Sequence, residues 1–223
     1  MARRIYQISR NGKLLKSIDV EFESPINPGE MLNPTGVFYN GKNLWYIASR
    51  PTESWVFLLT MNGDKIKTTN FSAVDLQPSA IIDIGRYLLI SGDQNNLVCQ
   101  FDYNLNLIKT IDIAGSAYDG GLLGYDGKSV LISGDVPTKI AYIDFLGKIL
   151  KTIPISAIDA SPGGTMFDGA YVWFFGNDTV KIYKITGGGI KATGIDLSTY
   201  LTYANSMSFN GKDFYIATGG GVV

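Results

Sequence analysis

Histidine is absent from the 223-residue chain. Its absence excludes the Ser-His-Asp and Cys-His forms of nucleophilic catalysis, which need an imidazole as base. It also removes imidazole-ligated zinc, copper and non-haem iron. Cysteine occurs once, as Cys99, within the apolar run Leu97-Val-Cys-Gln-Phe101. One cysteine closes no internal disulfide, so the redox compartment stays open, and Cys99 reads as a small buried apolar side chain. Charge is scarce too. Asp, Glu, Lys and Arg make up 17 % of the chain, against roughly 25 % in soluble domains. The net charge is −1, with no long run of either sign, so attraction to nucleic acid or anionic lipid is not expected.

Glutamates number four, at 21, 23, 30 and 53, and three of them fall in one connection. That is a poor supply for a glycosidase, which needs two carboxyl groups a few ångströms apart. Asp83 sits in an inner-strand position, but the only matching acid in the equivalent strands is Asp168, at a turn. No apolar stretch approaches the ~20 residues of a membrane-spanning helix. The basic Met1-Ala-Arg-Arg4 is not followed by an apolar region, so no secretory leader is expected. The compartment is left open, cytoplasmic or virion-associated.

Glycine (26 residues) and tyrosine (13) are plentiful, a mixture suited to strands and tight turns. A short turn recurs five times: Asn40-Gly41-Lys42, Ile84-Gly85-Arg86, Asp126-Gly127-Lys128, Asp168-Gly169-Ala170 and Asn210-Gly211-Lys212. Its glycines lie 44, 42, 42 and 42 residues apart. Asn-Gly and Asp-Gly are expected to supply the positive φ angles of a two-residue hairpin turn. The flanks agree column by column. Four residues after each glycine stand Trp45, Leu89, Leu131, Trp173 and Tyr215, and seven before it Pro34, Pro78, Gly120, Pro162 and Ala204. A second series, Lys16, Lys67, Lys109, Lys151 and Lys191, lies in runs that alternate apolar and polar residues with period two, as half-exposed strands do. These lysines read as charges that protect sheet edges from aggregation.

Each unit of about 42 residues holds four strands, the period and strand count of a propeller blade. The expected blades cover 35–71, 79–113, 120–155 and 163–197, with a fifth made of 205–223 plus 1–20. After Gly211 the sequence holds one more strand, so the missing third and fourth strands are expected from the amino-terminal hairpin. The whole of 1–223 is thus expected to form one all-β domain: a five-bladed β-propeller of four-stranded antiparallel blades, closed by pairing its two ends.

Asp126-Gly-Lys-Ser-Val-Leu-Ile and Asp168-Gly-Ala-Tyr-Val-Trp-Phe resemble the strand-turn-strand runs of many bacterial and archaeal propellers, and the chain resembles the β-propeller superfamily over essentially its whole length. Trp-Asp signatures and the kelch Gly-Gly pair are missing, so no family within it is assigned. Five blades resemble certain lectins and some glycoside hydrolases. The resemblance implies a ligand face carrying the second-to-third strand loops and the blade connections.

On that face the candidate ligand-binding residues are Ser49, Arg50, Asp93, Gln94, Tyr118, Asp119, Asp135, Asn177 and Tyr203. Ser49, Asp93, Asp135 and Asn177 occupy one column eight residues after the turn glycine. They form either a ring of acceptors for hydroxyl groups or simple caps of their own loops. Asp93 and Asp135 carry oxygen donors of the kind Ca²⁺ takes, but two carboxylates do not make a site. No metal, cofactor or catalytic residue is expected. Tyr118, Tyr200, Tyr203 and Trp55 offer stacking faces for a sugar or anchors for a protein. Trp45 and Trp173, in the shared apolar column, read as core. The leading expectation is a non-catalytic module binding a glycan or a protein through this face. The alternatives are a structural part of a larger assembly, such as a virion or surface appendage, and a small glycoside-processing hydrolase. The Glu21–Asn33 connection is expected to cross the loop face and partly cover the central channel.

Overall fold

Strands alternate their side chains between two faces, and in this chain the second strand of every repeat is buried on both. Such strands are stable only when covered on both sides. A computed structural model of the protein describes residues 3–92, 96–113, 122–135, 138–186 and 191–219. It contains five four-stranded antiparallel sheets, arranged as the blades of a propeller.

Blade I has the order β19-β20-β1-β2, from Ser206–Phe209, Asp213–Thr218, Arg4–Ser9 and Leu14–Asp19. Blade II holds β3 to β6: Asn33–Tyr39, Leu44–Arg50, Glu53–Leu59 and Lys65–Asn70. Blade III holds β7 to β10: Pro78–Asp83, Leu88–Gly92, Leu97–Phe101 and Leu107–Asp112. Blade IV holds β11 to β14: Leu122–Tyr125, Val130–Asp135, Thr138–Ile143 and Ile149–Pro154. Blade V holds β15 to β18: Pro162–Phe167, Val172–Gly176, Lys181–Ile185 and Lys191–Asp196. The innermost strands β3, β7, β11, β15 and β19 pack each on the next around the ring.

Closure follows the expected route. β1 pairs antiparallel with β20, in a register running from Arg4 opposite Thr218 to Ser9 opposite Asp213. Neither β1 nor β20 is left as an open edge, because each is paired on both sides.

The core is five separate seams. Tyr46 and Phe57 of blade II meet Ile5, Ile18 and Tyr215 of blade I. On the opposite face of the same strands, Trp45, Ile47 and Val56 meet Ile81, Ile90 and Phe101 of blade III. The remaining three seams join blades III and IV, IV and V, and V and I in the same way. Each fully buried Leu, Ile or Phe in a seam contributes about 1.5–3 kcal/mol. Cys99 lies in the II–III seam, where burial, with Asp75 adding to it, pushes its thiol up to about 11. Trp45 and Trp173 are core residues, as expected.

Fourth strands face solvent on one side, and β10 and β14 expose Leu107, Ile108 and Leu150. The lysine column does more there than guard an edge. Lys16 Nζ donates to the Met61 carbonyl of blade II. Lys67 Nζ donates to Asn104 O of blade III at 3.2 Å, and Lys109 Nζ to Phe145 O of blade IV at 2.6 Å. Three of the outer strands are thereby tied to the outer turn of the next blade.

The inner turns depart from the expected chemistry. Only the glycine takes a positive φ, 95° at Gly41; the preceding Asn or Asp does not. That residue acts through its side chain instead. Asn40 Oδ1 accepts from the Lys42 and Asn43 amides at 3.2 and 2.8 Å, and Asp126 Oδ1 from Lys128 and Ser129 at 2.8 and 2.6 Å.

The Glu21–Asn33 connection fills the outer wedge of the I–II seam rather than lying over the channel. Phe22 packs edge-on against Tyr46, with ring centroids 5.9 Å apart, and Leu32 is wholly buried. Of this segment, only Asn33 lines the central cavity described below.

Gly147 and Gly41 separate two costs of the same substitution. Gly41 (φ 95°) has open space where a Cβ would sit, so Gly41→Ala meets backbone strain alone, about 1 kcal/mol. Gly147 (φ 85°) nests against blade III, and a Cβ there would overlap the Asp112 carbonyl oxygen. Gly147→Ala is expected to cost roughly 2–4 kcal/mol. Equal urea midpoints for the two variants would contradict the inter-blade nesting.

Candidate ligand-binding site

Proline lacks an amide hydrogen and is tolerated at the first position of a strand. Pro34, Pro78 and Pro162 stand at or next to the start of β3, β7 and β15, and directly after each the register slips by one residue. The extra residues of these bulges are Thr35, Ser79 and Gly163. A bulge bends its strand and re-aims a side chain. Here three bulges at one end of the ring open the mouth of a cavity of about 610 Å³.

All five blades contribute to its wall. Thr35, Ser79, Ser133, Asn177 and Asn205 bring hydroxyl and amide groups, and Tyr203 brings a ring. Arg50 is the only charged side chain among the described lining residues. No group of three or more Cys, Asp or Glu suited to a metal ion occurs among the described residues.

Arg50 ends β4 and forms ion pairs with Glu30 and, at 3.9 Å, with Glu53. Glu53 is fully buried. It accepts hydrogen bonds from Ser24 Oγ at 2.8 Å, Trp55 Nε1 at 2.7 Å and Asn27 Nδ2 at 3.1 Å. Burial alone would raise its pKa. The three donors and the Arg50 charge outweigh burial and hold the carboxyl below its usual range. This network clamps the Glu21–Asn33 connection to blade II and fixes the guanidinium at the cavity wall.

The expected site residues fall into three groups. Ser49, Arg50, Asn177 and Tyr203 line the cavity. Asn177 is also a staple between blades: its Oδ1 accepts the Ala204 amide at 2.8 Å and its own amide donates to Ser161 O at 2.8 Å. Asp135 ends β12 opposite Thr138, and its side chain lies outside what the structure describes. Asp93, Gln94, Tyr118 and Asp119 lie outside the described residues.

Two proposed roles are corrected. Trp55 offers no stacking face, because it is buried and its indole N–H is spent on Glu53. Asp83 lies at the turn end of β7, away from the cavity mouth, where Oδ1 accepts from the Gly85 amide and the Tyr103 hydroxyl, each at 2.8 Å.

Two carboxylates that matter on this face were missed. Asp75 and Asp159 are both buried. Asp159 Oδ2 accepts from the Thr179 amide at 3.0 Å and from its hydroxyl at 2.7 Å, and Oδ1 accepts from the Ser161 amide at 3.0 Å. Asp75 Oδ1 accepts from the Gln77 amide at 2.7 Å. Each packs where a Cβ on Gly92 or Gly176 would sit, so the connections between blades close over a glycine. The signal is the repeated Ser-Ala-x-Asp of residues 72–75, 116–119 and 156–159, whose second copy ends on the expected Asp119.

No family model matches the chain, and no curated protein does. Solved structures do. The glutaminyl cyclase of Myxococcus xanthus superposes with a TM-score of 0.64 at 10 % identity, over 100 % of this chain and 97 % of that one. A catalytically inactive, histidine-to-alanine virginiamycin B lyase from Staphylococcus aureus, solved with quinupristin, superposes with a TM-score of 0.56 at 16 % identity, covering 96 % and 87 %. A chain of the nidogen/laminin complex gives 0.58 at 14 % identity, covering 96 % and 84 %. At these identities the likeness is one of fold.

Glu53 makes the clamp testable through pH. Its folded pKa is depressed, so its stabilisation is fully present above the unfolded value of about 4.3 and is lost as pH falls through the folded value. Glu53→Gln is expected to lose roughly 3 kcal/mol at pH 7 and to show a flatter loss of stability between pH 5 and 2. Parallel acid limbs in urea titrations of the two proteins would remove Glu53 from the network.

Proposed function

We propose that the protein is a non-catalytic binding module that recognises a glycan or protein partner through the loop face, and that its primary ligand is a glycan. The observation that carries this reading is the cavity where all five blades meet. Its wall mixes hydroxyl and amide side chains with Arg50, four proline rings and one exposed tyrosine ring. Polar groups set between apolar ring faces suit a ligand that is itself a ring studded with hydroxyls.

Catalysis is less well supported. The described lining residues bring no carboxylate, and a hydrolase of this kind needs two. The lyase with the similar fold is catalytically inactive when one histidine is replaced by alanine, and this chain contains none.

A second reading, a structural part in a larger assembly, has one observation in its favour. Leu107, Ile108, Leu146 and Leu150 are 50–82 % exposed on the outer strands and turn of the adjacent blades III and IV, and contiguous exposed apolar surface marks contact sites.

A glycan array on the intact chain, with native mass measurement, tests both. The expected result is discrete carbohydrate hits on a monomer, weakened about tenfold or more by Tyr203→Ala. A stable higher assembly with no carbohydrate hits would replace the first reading with the second.

A further inference from the structure

A second cavity of about 210 Å³ is lined by Arg3, Asn33, Pro34, Tyr203, Asn205 and Gly219. Asn33, Pro34, Tyr203 and Asn205 line the larger cavity as well, so the two adjoin. The smaller one has a cation in its wall. Of the five arginines in the chain, Arg4, Arg10 and Arg50 each meet a carboxylate, and Arg86 is exposed to water. Arg3 is partly buried and meets no carboxylate among the described residues. Its Nη2 donates to Asn33 Oδ1 at 3.0 Å, and its Nε is buried without a hydrogen-bond partner. The backbone holds it in place, since its carbonyl accepts from the Val20 amide at 3.0 Å.

A guanidinium carries five N–H donors, and one side-chain bond uses one of them. Taking such a charge out of water is costly unless an anion faces it. The neighbouring Tyr46 hydroxyl supplies no countercharge. It is wholly buried, and burial drives its pKa far above the ordinary phenol value, with the Arg3 charge opposing only in part. A neutral phenol remains beside a cation that no carboxylate among the described residues balances.

We propose that the Arg3 pocket anchors the carboxylate of an acidic sugar, a hexuronic acid type of residue, whose ring lies along Tyr203 toward the larger cavity. The proposal rests on the glycan reading of the loop face and adds the charge of the ligand to it. A planar carboxylate matches the fork of one guanidinium through paired hydrogen bonds. A phosphate dianion asks for more positive charge than the single arginine in this pocket brings.

The test uses the whole chain, with sodium glucuronate, methyl glucuronate as its uncharged ester, glucose and inorganic phosphate as probes. Titrations are followed by calorimetry and by the Arg3 side-chain N–H resonance. Glucuronate is expected to bind saturably and shift that resonance, with the ester and glucose at least tenfold weaker. Arg3→Gln is expected to weaken glucuronate roughly 10- to 100-fold, the worth of a charged hydrogen-bonded pair. Asn33→Asp builds a counter-ion into the wall; it should abolish glucuronate binding and raise the melting temperature, a readout that does not depend on any sugar. Equal affinity for glucuronate and its ester, affinity unchanged by Arg3→Gln, or phosphate bound in preference to glucuronate would each overturn the proposal. The two readings fail separately. Neutral glycans that bind the wild type and Arg3→Gln alike, with no effect of charge, overturn the Arg3 pocket and leave the loop-face reading standing. A glucuronate response at Arg3 that acetate reproduces in full, with no array hits, keeps the carboxylate pocket and ends the glycan reading.

Discussion

Every blade of this ring is covered on both faces by other blades, and no blade has a core of its own. The even and odd residues of β4 make the point: Leu44, Tyr46 and Ala48 face blade I, while Trp45 and Ile47 face blade III. A strand of that kind is stable only inside a closed circle, because one open seam would expose apolar rows on two sheets at once. The β1–β20 ladder is therefore the contact on which the remaining seams depend. Around it, the lysines that reach from three outer strands to the next turn, and the glycine turns that nest on the previous blade, repeat the same coupling at the rim.

Closure with only five blades also shapes the cavity. The innermost strands crowd around a short circumference, and the residues where they touch are small. Gly164 has no room for a Cβ beside Met207, and a Cβ added at Gly36 would come within 3.3 Å of Ala80 Cα. At the I–II seam serine takes over, with Ser206 and Ser208 Oγ accepting the Val37 and Tyr39 amides at 3.2 and 3.0 Å. Three proline-led bulges break the register at one end of the ring, and the polar wall begins there. The position of the binding face is thus a consequence of packing.

Much of the architecture was legible because it is written in columns. Turn glycines at a constant spacing, an apolar residue four positions on and a lysine in each outer strand gave blade number, strand order and the shared blade directly. The site was less legible for a physical reason. Short polar residues on loops serve backbone caps and ligands equally well, and the residue type does not say which. Asn177 was singled out as an acceptor for a ligand, and its Oδ1 is taken by the Ala204 amide. For Asp75 and Asp159 the repeated Ser-Ala-x-Asp marks the positions, but their burial against Gly92 and Gly176 is a relation between blade connections and second strands that the repeat alone does not display. Trp55 misled in the same way: its neighbour Glu53, buried and in need of donors, drew the indole inward.

The register of the shared blade has a mechanical meaning. Arg4 lies opposite Thr218 at the end of the ladder from which the chain leaves in both directions. A tensile load applied at residues 3 and 219 therefore meets one pair of strands end-on and parts their hydrogen bonds in succession, like a zipper.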